Sequence, residues 1–161
     1  MIKNIAYCLL ITVLIISCSK KDQQCNYKDS TIVAPQNEIT GVQNYLNTNG
    51  ISAVQHSSGL FYKINSNGTG QEVVNLCSNL TVKYKGRLTN GTVFDSTATG
   101  NTAIFQLGQV IPGWQKGIPL VSSGGSITLY IPPSLGYGTS GSGPIPPNAI
   151  LIFDIDLVNV N

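Results

Sequence analysis

Asp95 is the only carboxylate between Glu72 and Asp154, and it directly follows the apolar run Val93-Phe94. An acid in that setting must be solvated or hydrogen-bonded, because burying it alone is costly. Trp114 is the single tryptophan, and Phe94, Phe105 and Phe153 are three of the four phenylalanines. Read from pattern alone, these aromatics are ordinary core and Asp95 braces the turn begun by Ser96 and Thr97. Metal chemistry is not on offer, since Cys25, Cys77 and the lone His56 form no ligand spacing. His56 reads as a polar residue in a Ser-rich loop. No cofactor is called for.

Four blocks change this reading. Val82-Lys-Tyr-Lys-Gly-Arg-Leu-Thr-Asn-Gly-Thr-Val-Phe-Asp-Ser96 is followed by Gly108-Gln-Val-Ile-Pro-Gly-Trp114, Leu135-Gly-Tyr-Gly138 and Ile145-Pro-Pro-Asn-Ala-Ile-Leu-Ile-Phe-Asp-Ile155. Asn-Gly before an apolar strand is by itself a generic hairpin signal. Together, in this order and spacing, the blocks resemble the FK506-binding-protein (FKBP) type of peptidyl-prolyl cis-trans isomerase.

The resemblance implies a pocket with Trp114 as its floor and Tyr84, Phe94, Val110, Ile111 and Phe153 as walls. Ile145 would close one side, and Phe105 is divided between wall and core. The Ile111 backbone N–H, the Tyr137 hydroxyl and the Asp95 carboxylate would be the polar contacts. The implied reaction needs no nucleophile: rotation about an Xaa-Pro bond must break amide resonance, at roughly 20 kcal/mol. A site that binds the twisted amide better than either planar form lowers that barrier.

Some positions depart from well-known eukaryotic relatives. The loop between Asp95 and Phe105 is one residue shorter and holds no arginine to pair with the acid. Ala103 stands where an aromatic often enters the pocket, and Gly141, Ser142 and Gly143 stand where a histidine is frequent. These departures bear on rate, sequence preference and affinity for macrolides such as FK506.

The elements that must position these residues follow from patterning. Ile39, Val42 and Leu46 recur at helical spacing before Asn49-Gly50, predicting a helix from about 37 to 48. Strands are expected at 59–64, 80–88, 92–95, 104–107, 126–131 and 150–158. A short helix over 112–120 has Pro near its start. The fold class implied is α+β, an antiparallel, strongly curved FKBP-like sheet wrapped on one short helix, with an N-terminal helix and a lipoprotein tether. The loop from Gly138 to Gly143 reads as flexible.

Ahead of the domain, Met1-Ile2-Lys3 and the apolar run 5–16 lead to Leu14-Ile15-Ile16-Ser17-Cys18. A run of about 12 residues is too short to span a bilayer and suits a secretory signal. The last five residues resemble a bacterial lipobox in which Cys18 carries the lipid; the alternative is an ordinary signal peptide with an incidental cysteine. The organisation expected is a signal peptide over 1–17, a flexible tether over 18–35, an N-terminal helical segment over 36–58 and the isomerase domain over 59–161. Export to an oxidising compartment predicts a Cys25 to Cys77 disulfide, the alternative being two unpaired thiols.

The formal net charge of +2, without clustered Lys or Arg outside the N-terminal edge, argues against nucleic acid as a partner. The partners expected are proline-containing unfolded or nascent exported proteins, and the membrane through the lipid. The expected location is the bacterial cell envelope, anchored and facing the periplasm. The competing function is a non-catalytic module or holdase that grips proline-containing segments; a structural lipoprotein with a degenerate pocket would have lost Trp114 or Tyr137.

Overall fold

The computed structural model describes residues 25–161. The signal and lipobox expectations, Cys18 included, lie outside these residues.

Helix α1 (Gln36–Thr48) precedes strands β1 (Val54–Gln55), β2 (Phe61–Ser66), β3 (Asn79–Leu88), β4 (Val93–Ser96) and β5 (Ala103–Gln106). Helix α2 (Pro112–Gly117) is followed by β6 (Gly125–Ile131) and β7 (Leu151–Val160). Single 3-10 turns occupy Leu107–Gln109, Ile118–Leu120 and Pro133–Leu135. The strands form one antiparallel sheet in the order β1-β2-β6-β7-β3-β4, and β5 pairs β3 beside β4. Thus β4 takes residues 85–87 of β3 and β5 takes residues 79–82.

Strict alternation along β7 assigns its two faces. Leu151, Phe153, Ile155 and Leu157 join Leu129, Ile131, Trp114 and Ile118 in the main core under α2. Ile152 points the other way and, with Phe61 and Tyr130, meets Val42 and Leu46 of α1. The outer face is covered at this end by α1. Beyond it runs a polar chain: Arg87 Nη1 donates to Asp154 Oδ2 at 3.0 Å, and Thr128 Oγ1 donates to Asp154 Oδ1 at 2.9 Å. Glu38, in the first turn of α1, accepts from the Ser134 backbone N–H at 2.8 Å and ties the helix to the turn before Tyr137.

Three expectations need correction. Residues 25–35 are not loose tether. Cys25 is disulfide-bonded to Cys77, with Cα atoms 5.6 Å apart, and Ala34 is buried and donates its N–H to Ser58 O at 2.9 Å. This stretch is a strap on the domain because oxidation fixes one end and Ala34 fixes the other. Residues 36–58 are not helical throughout, since β1 extends the sheet by pairing with β2. The loop from Gly138 to Gly143 is a closed turn in which Ser142 and Ile145 exchange backbone hydrogen bonds at 2.9 and 3.0 Å. Asn148 N–H donates to Gly138 O at 2.9 Å across its base. His56 also has a defined task, bonding Ser58 Oγ through Nδ1 at 2.9 Å.

Candidate active site

Beside β3, the N-terminal end of α2 closes a cavity of about 280 Å³ lined by Tyr84, Asp95, Phe105, Gln109, Val110, Ile111, Trp114, Tyr137 and Phe153. Pro112 opens α2, where its missing N–H costs nothing. The helix then delivers Trp114, only 4 % exposed, to the floor. Gly113 lets the helix approach β6, since a Cβ there would lie 2.6 Å from Ile131.

Trp114 is the hub of an aromatic cluster. Its ring lies 5.1 Å from Phe153, 5.3 Å from Tyr84 and 5.7 Å from Phe105, with interplanar angles of 86°, 80° and 89°. Edge-to-face packing of this kind is the favoured geometry for aromatic quadrupoles. It sets three rings nearly perpendicular to one indole and fixes the indole plane. The buried Trp114 Nε1 has no hydrogen-bond partner among the described residues.

Polar groups are few. The Tyr84 hydroxyl donates to Asp95 Oδ2 at 2.7 Å. Burial, then the Asp95 hydrogen bond and charge, then Tyr137, push the Tyr84 phenol well above its ordinary value. The Ile111 N–H and the Tyr137 hydroxyl have no partner among the described residues, and Tyr137 is 39 % exposed at the rim. The arrangement is an aromatic cradle with a donor at the helix start, a hydroxyl at the mouth and a braced carboxylate. It can seat a small apolar ring and orient the carbonyls beside it.

Of the residues expected here, Tyr84, Asp95, Phe105, Val110, Ile111, Trp114, Tyr137 and Phe153 come together at the cavity. Phe94 does not line it; its ring meets Phe153 nearly perpendicularly at 5.4 Å and supports that wall. Ile145 is also absent from the lining and is buried at 7 % exposure, because the closed turn draws it into the core. Sequence reasoning missed Gln109, which lines the cavity and whose Nε2 donates to the Tyr27 hydroxyl at 2.9 Å. Gln109 lies in a quoted block, but a polar residue in a turn carries no signal of a wall position.

A sequence profile described as FKBP-type peptidyl-prolyl cis-trans isomerase matches residues 70–158. The chain belongs to this FKBP family. The FKBP-type isomerase FkpA of Escherichia coli (strain K12) is 43 % identical over 105 residues, which cover 65 % of this chain and 38 % of that protein. FkpA of Buchnera aphidicola subsp. Schizaphis graminum is 48 % identical over 105 residues, covering 65 % and 42 %. The outer membrane protein MIP of Legionella longbeachae is 47 % identical over 105 residues, covering 64 % and 45 %. The chain spans about two-fifths of the length of the curated relatives it matches. Among solved structures, E. coli FkpA superposes with a TM-score of 0.70 at 35 % identity, over 78 % of this chain and 60 % of that one. AtFKBP13 superposes with a TM-score of 0.63 at 36 % identity, over 68 % of this chain and 99 % of that one. The FKBP fold expected from the four blocks is the fold found.

Proposed function

We propose that this FKBP-family protein catalyses cis–trans isomerisation of Xaa-Pro bonds in exported polypeptides, working at a membrane surface in the bacterial cell envelope. The observation that carries the reading is the aromatic cradle around Trp114, which is closed to water on its floor and nearly free of charge. Uncatalysed isomerisation takes tens to hundreds of seconds, slow enough to limit folding.

A prolyl ring seated on the Trp114 face leaves its amide in a medium of low polarity. The twisted amide has lost conjugation and carries less charge on oxygen, so it is favoured there over the planar forms. The Ile111 N–H and the Tyr137 hydroxyl are the donors that hold the carbonyls on either side of the bond. Asp95, braced by Tyr84, fixes the opposite edge. Sparse charge in the domain points to an apolar residue before proline as the preferred substrate.

The lipobox-like sequence Leu14-Ile15-Ile16-Ser17-Cys18 supports the envelope location, as does similarity to a protein named as an outer membrane protein. With Cys25 fixed to the domain, seven residue steps separate the anchor from the strap (25 − 18 = 7). At full extension that is about 24 Å, so clients are met close to the bilayer.

The test is the cis-to-trans relaxation rate of a Leu-Pro peptide, measured beside Tyr137→Phe and Trp114→Ala. Acceleration that falls in both variants and is blocked by an FKBP-directed macrolide supports catalysis. Peptide binding without acceleration would make the protein a proline-binding module instead.

A further inference from the structure

Between β5 and α2 the chain makes one 3-10 turn, Leu107–Gln109, and runs through Val110 to Ile111, the residue that caps α2. Gln109, Val110 and Ile111 all line the aromatic cavity, and the Ile111 N–H is its donor. The turn has one hydrogen bond of its own, from Val110 N–H to Leu107 O at 3.4 Å. So short an element is placed by what grips it from outside.

Two supports do so. The first is the segment around Cys77: Leu107 N–H donates to Ser78 O at 3.0 Å, Gly108 N–H to Leu76 O at 2.7 Å and Gln106 Nε2 to Cys77 O at 3.3 Å. The second is the N-terminal strap. Tyr27, two residues after Cys25, lays its ring against Gly108, where a Cβ would overlap it. Its hydroxyl accepts from Gln109 Nε2 at 2.9 Å. The Cys25–Cys77 bond fastens these two supports to each other. Tyr27 is 39 % exposed and belongs to neither core cluster, so its contacts serve the turn rather than the core.

We propose that Tyr27 is a positioning residue of the isomerase site: held by the disulfide, it fixes the turn Leu107–Gln109 and thereby the Gln109–Val110–Ile111 wall that binds the substrate beside its proline. The proposal rests on the isomerase reading and deepens it, by adding a residue from the strap to those that control substrate binding. If the wall shifts, the Ile111 N–H no longer meets the substrate carbonyl. That carbonyl is held in the planar and twisted forms alike, so the loss falls on KM and Kd rather than on kcat. A residue that only kept the chain folded would lower the active fraction, and with it the apparent kcat, while leaving KM untouched.

The test uses the full-length protein in mild detergent and a tetrapeptide centred on Leu-Pro. Both kcat and KM are measured, and Kd is read from the fluorescence of Trp114, the single tryptophan, on the cavity floor. Tyr27→Phe keeps the ring on Gly108 and removes the hydroxyl; KM and Kd should rise about threefold. Tyr27→Ala removes both contacts and should raise them about tenfold, with kcat within about twofold of the parent in either variant. Gln109→Met breaks the same hydrogen bond from its other end, so Tyr27→Phe should add nothing in that background. An unchanged KM and Kd in Tyr27→Ala, a fall in kcat alone, or effects of Tyr27→Phe and Gln109→Met that simply add would overturn the proposal. If the parent protein binds the peptide without accelerating it, the isomerase reading fails, and the Kd values of the same variants still decide whether Tyr27 positions the wall. Neither binding nor turnover by the parent protein overturns both.

Discussion

The Tyr84 hydroxyl reaches Asp95 Oδ2 at 2.7 Å across the join where β4 gives way to the loop before β5. Tyr84 thereby serves two structures at once: its ring packs edge-on against Trp114, and its oxygen holds the carboxylate at the cavity edge. Tyr84→Phe should keep the ring packing and release the acid. The expected outcome is a KM for Leu-Pro peptide raised several-fold with kcat little changed, and a stability loss of about 1–2 kcal/mol by urea denaturation. An unchanged KM would show that Asp95 holds its place without the hydroxyl.

Gly86 lies where Phe94 and Phe153 cross, and a Cβ there would come 2.6 Å from Phe94 and 2.7 Å from Phe153. Gly86→Ala should therefore push both rings apart. We expect a cost of about 1–3 kcal/mol, the usual range for overpacking, and a weakened near-ultraviolet circular dichroism signal. Because Phe153 is a wall of the cavity, isomerase activity should fall with it.

The Cys25 to Cys77 bond closes a loop with a sequence separation of 52. On the chain-entropy account that closure is worth at most about 4 kcal/mol. The double variant Cys25→Ser with Cys77→Ser, or the reduced protein, should lose about 2–4 kcal/mol in urea unfolding. A loss near zero would mean that Ala34 and Tyr27 alone hold the strap.

Alkaline pH should destabilise the fold. Tyr84 is raised chiefly by burial and then by Asp95; Tyr130 is raised by burial, partly opposed by Arg87. Below the ordinary value of 10.0 both phenols are protonated in the folded and unfolded chain, and their contribution is fully present. Above it the unfolded chain releases protons that the folded one retains, so stability falls as pH rises towards the folded values. Urea midpoints measured from about pH 9 upward should decline, and less steeply in Tyr84→Phe.

Much of this was legible beforehand for identifiable reasons. The alternation along β7 and the 39/42/46 spacing of α1 report burial directly, because one face of each element meets a core. Cys25 and Cys77 were legible through redox compartment, although not the strap they create. The errors share a cause. Whether Ile145 lines a cavity or joins a core is decided by the turn Ser142 to Ile145, a set of backbone hydrogen bonds that no side-chain pattern announces. Phe94 and Phe153 are alike in sequence context, yet one ring lines the cavity and the other stands behind it. Gln109 was invisible because its place depends on Tyr27, 82 residues away.

The disulfide also has a mechanical meaning. Tension applied to the chain ahead of Cys25 leaves the backbone there, crosses to Cys77 and enters β3 two residues later, bypassing α1, β1 and β2. Strand β3 is held on one side by β7 and on the other by β5 and β4, so the load is borne in shear by many hydrogen bonds acting together. Tyr84 rides on that same strand. A protein pulled from its N-terminal side would thus be loaded along the strand that carries its pocket, while α1, β1 and β2 stay off the path of the force.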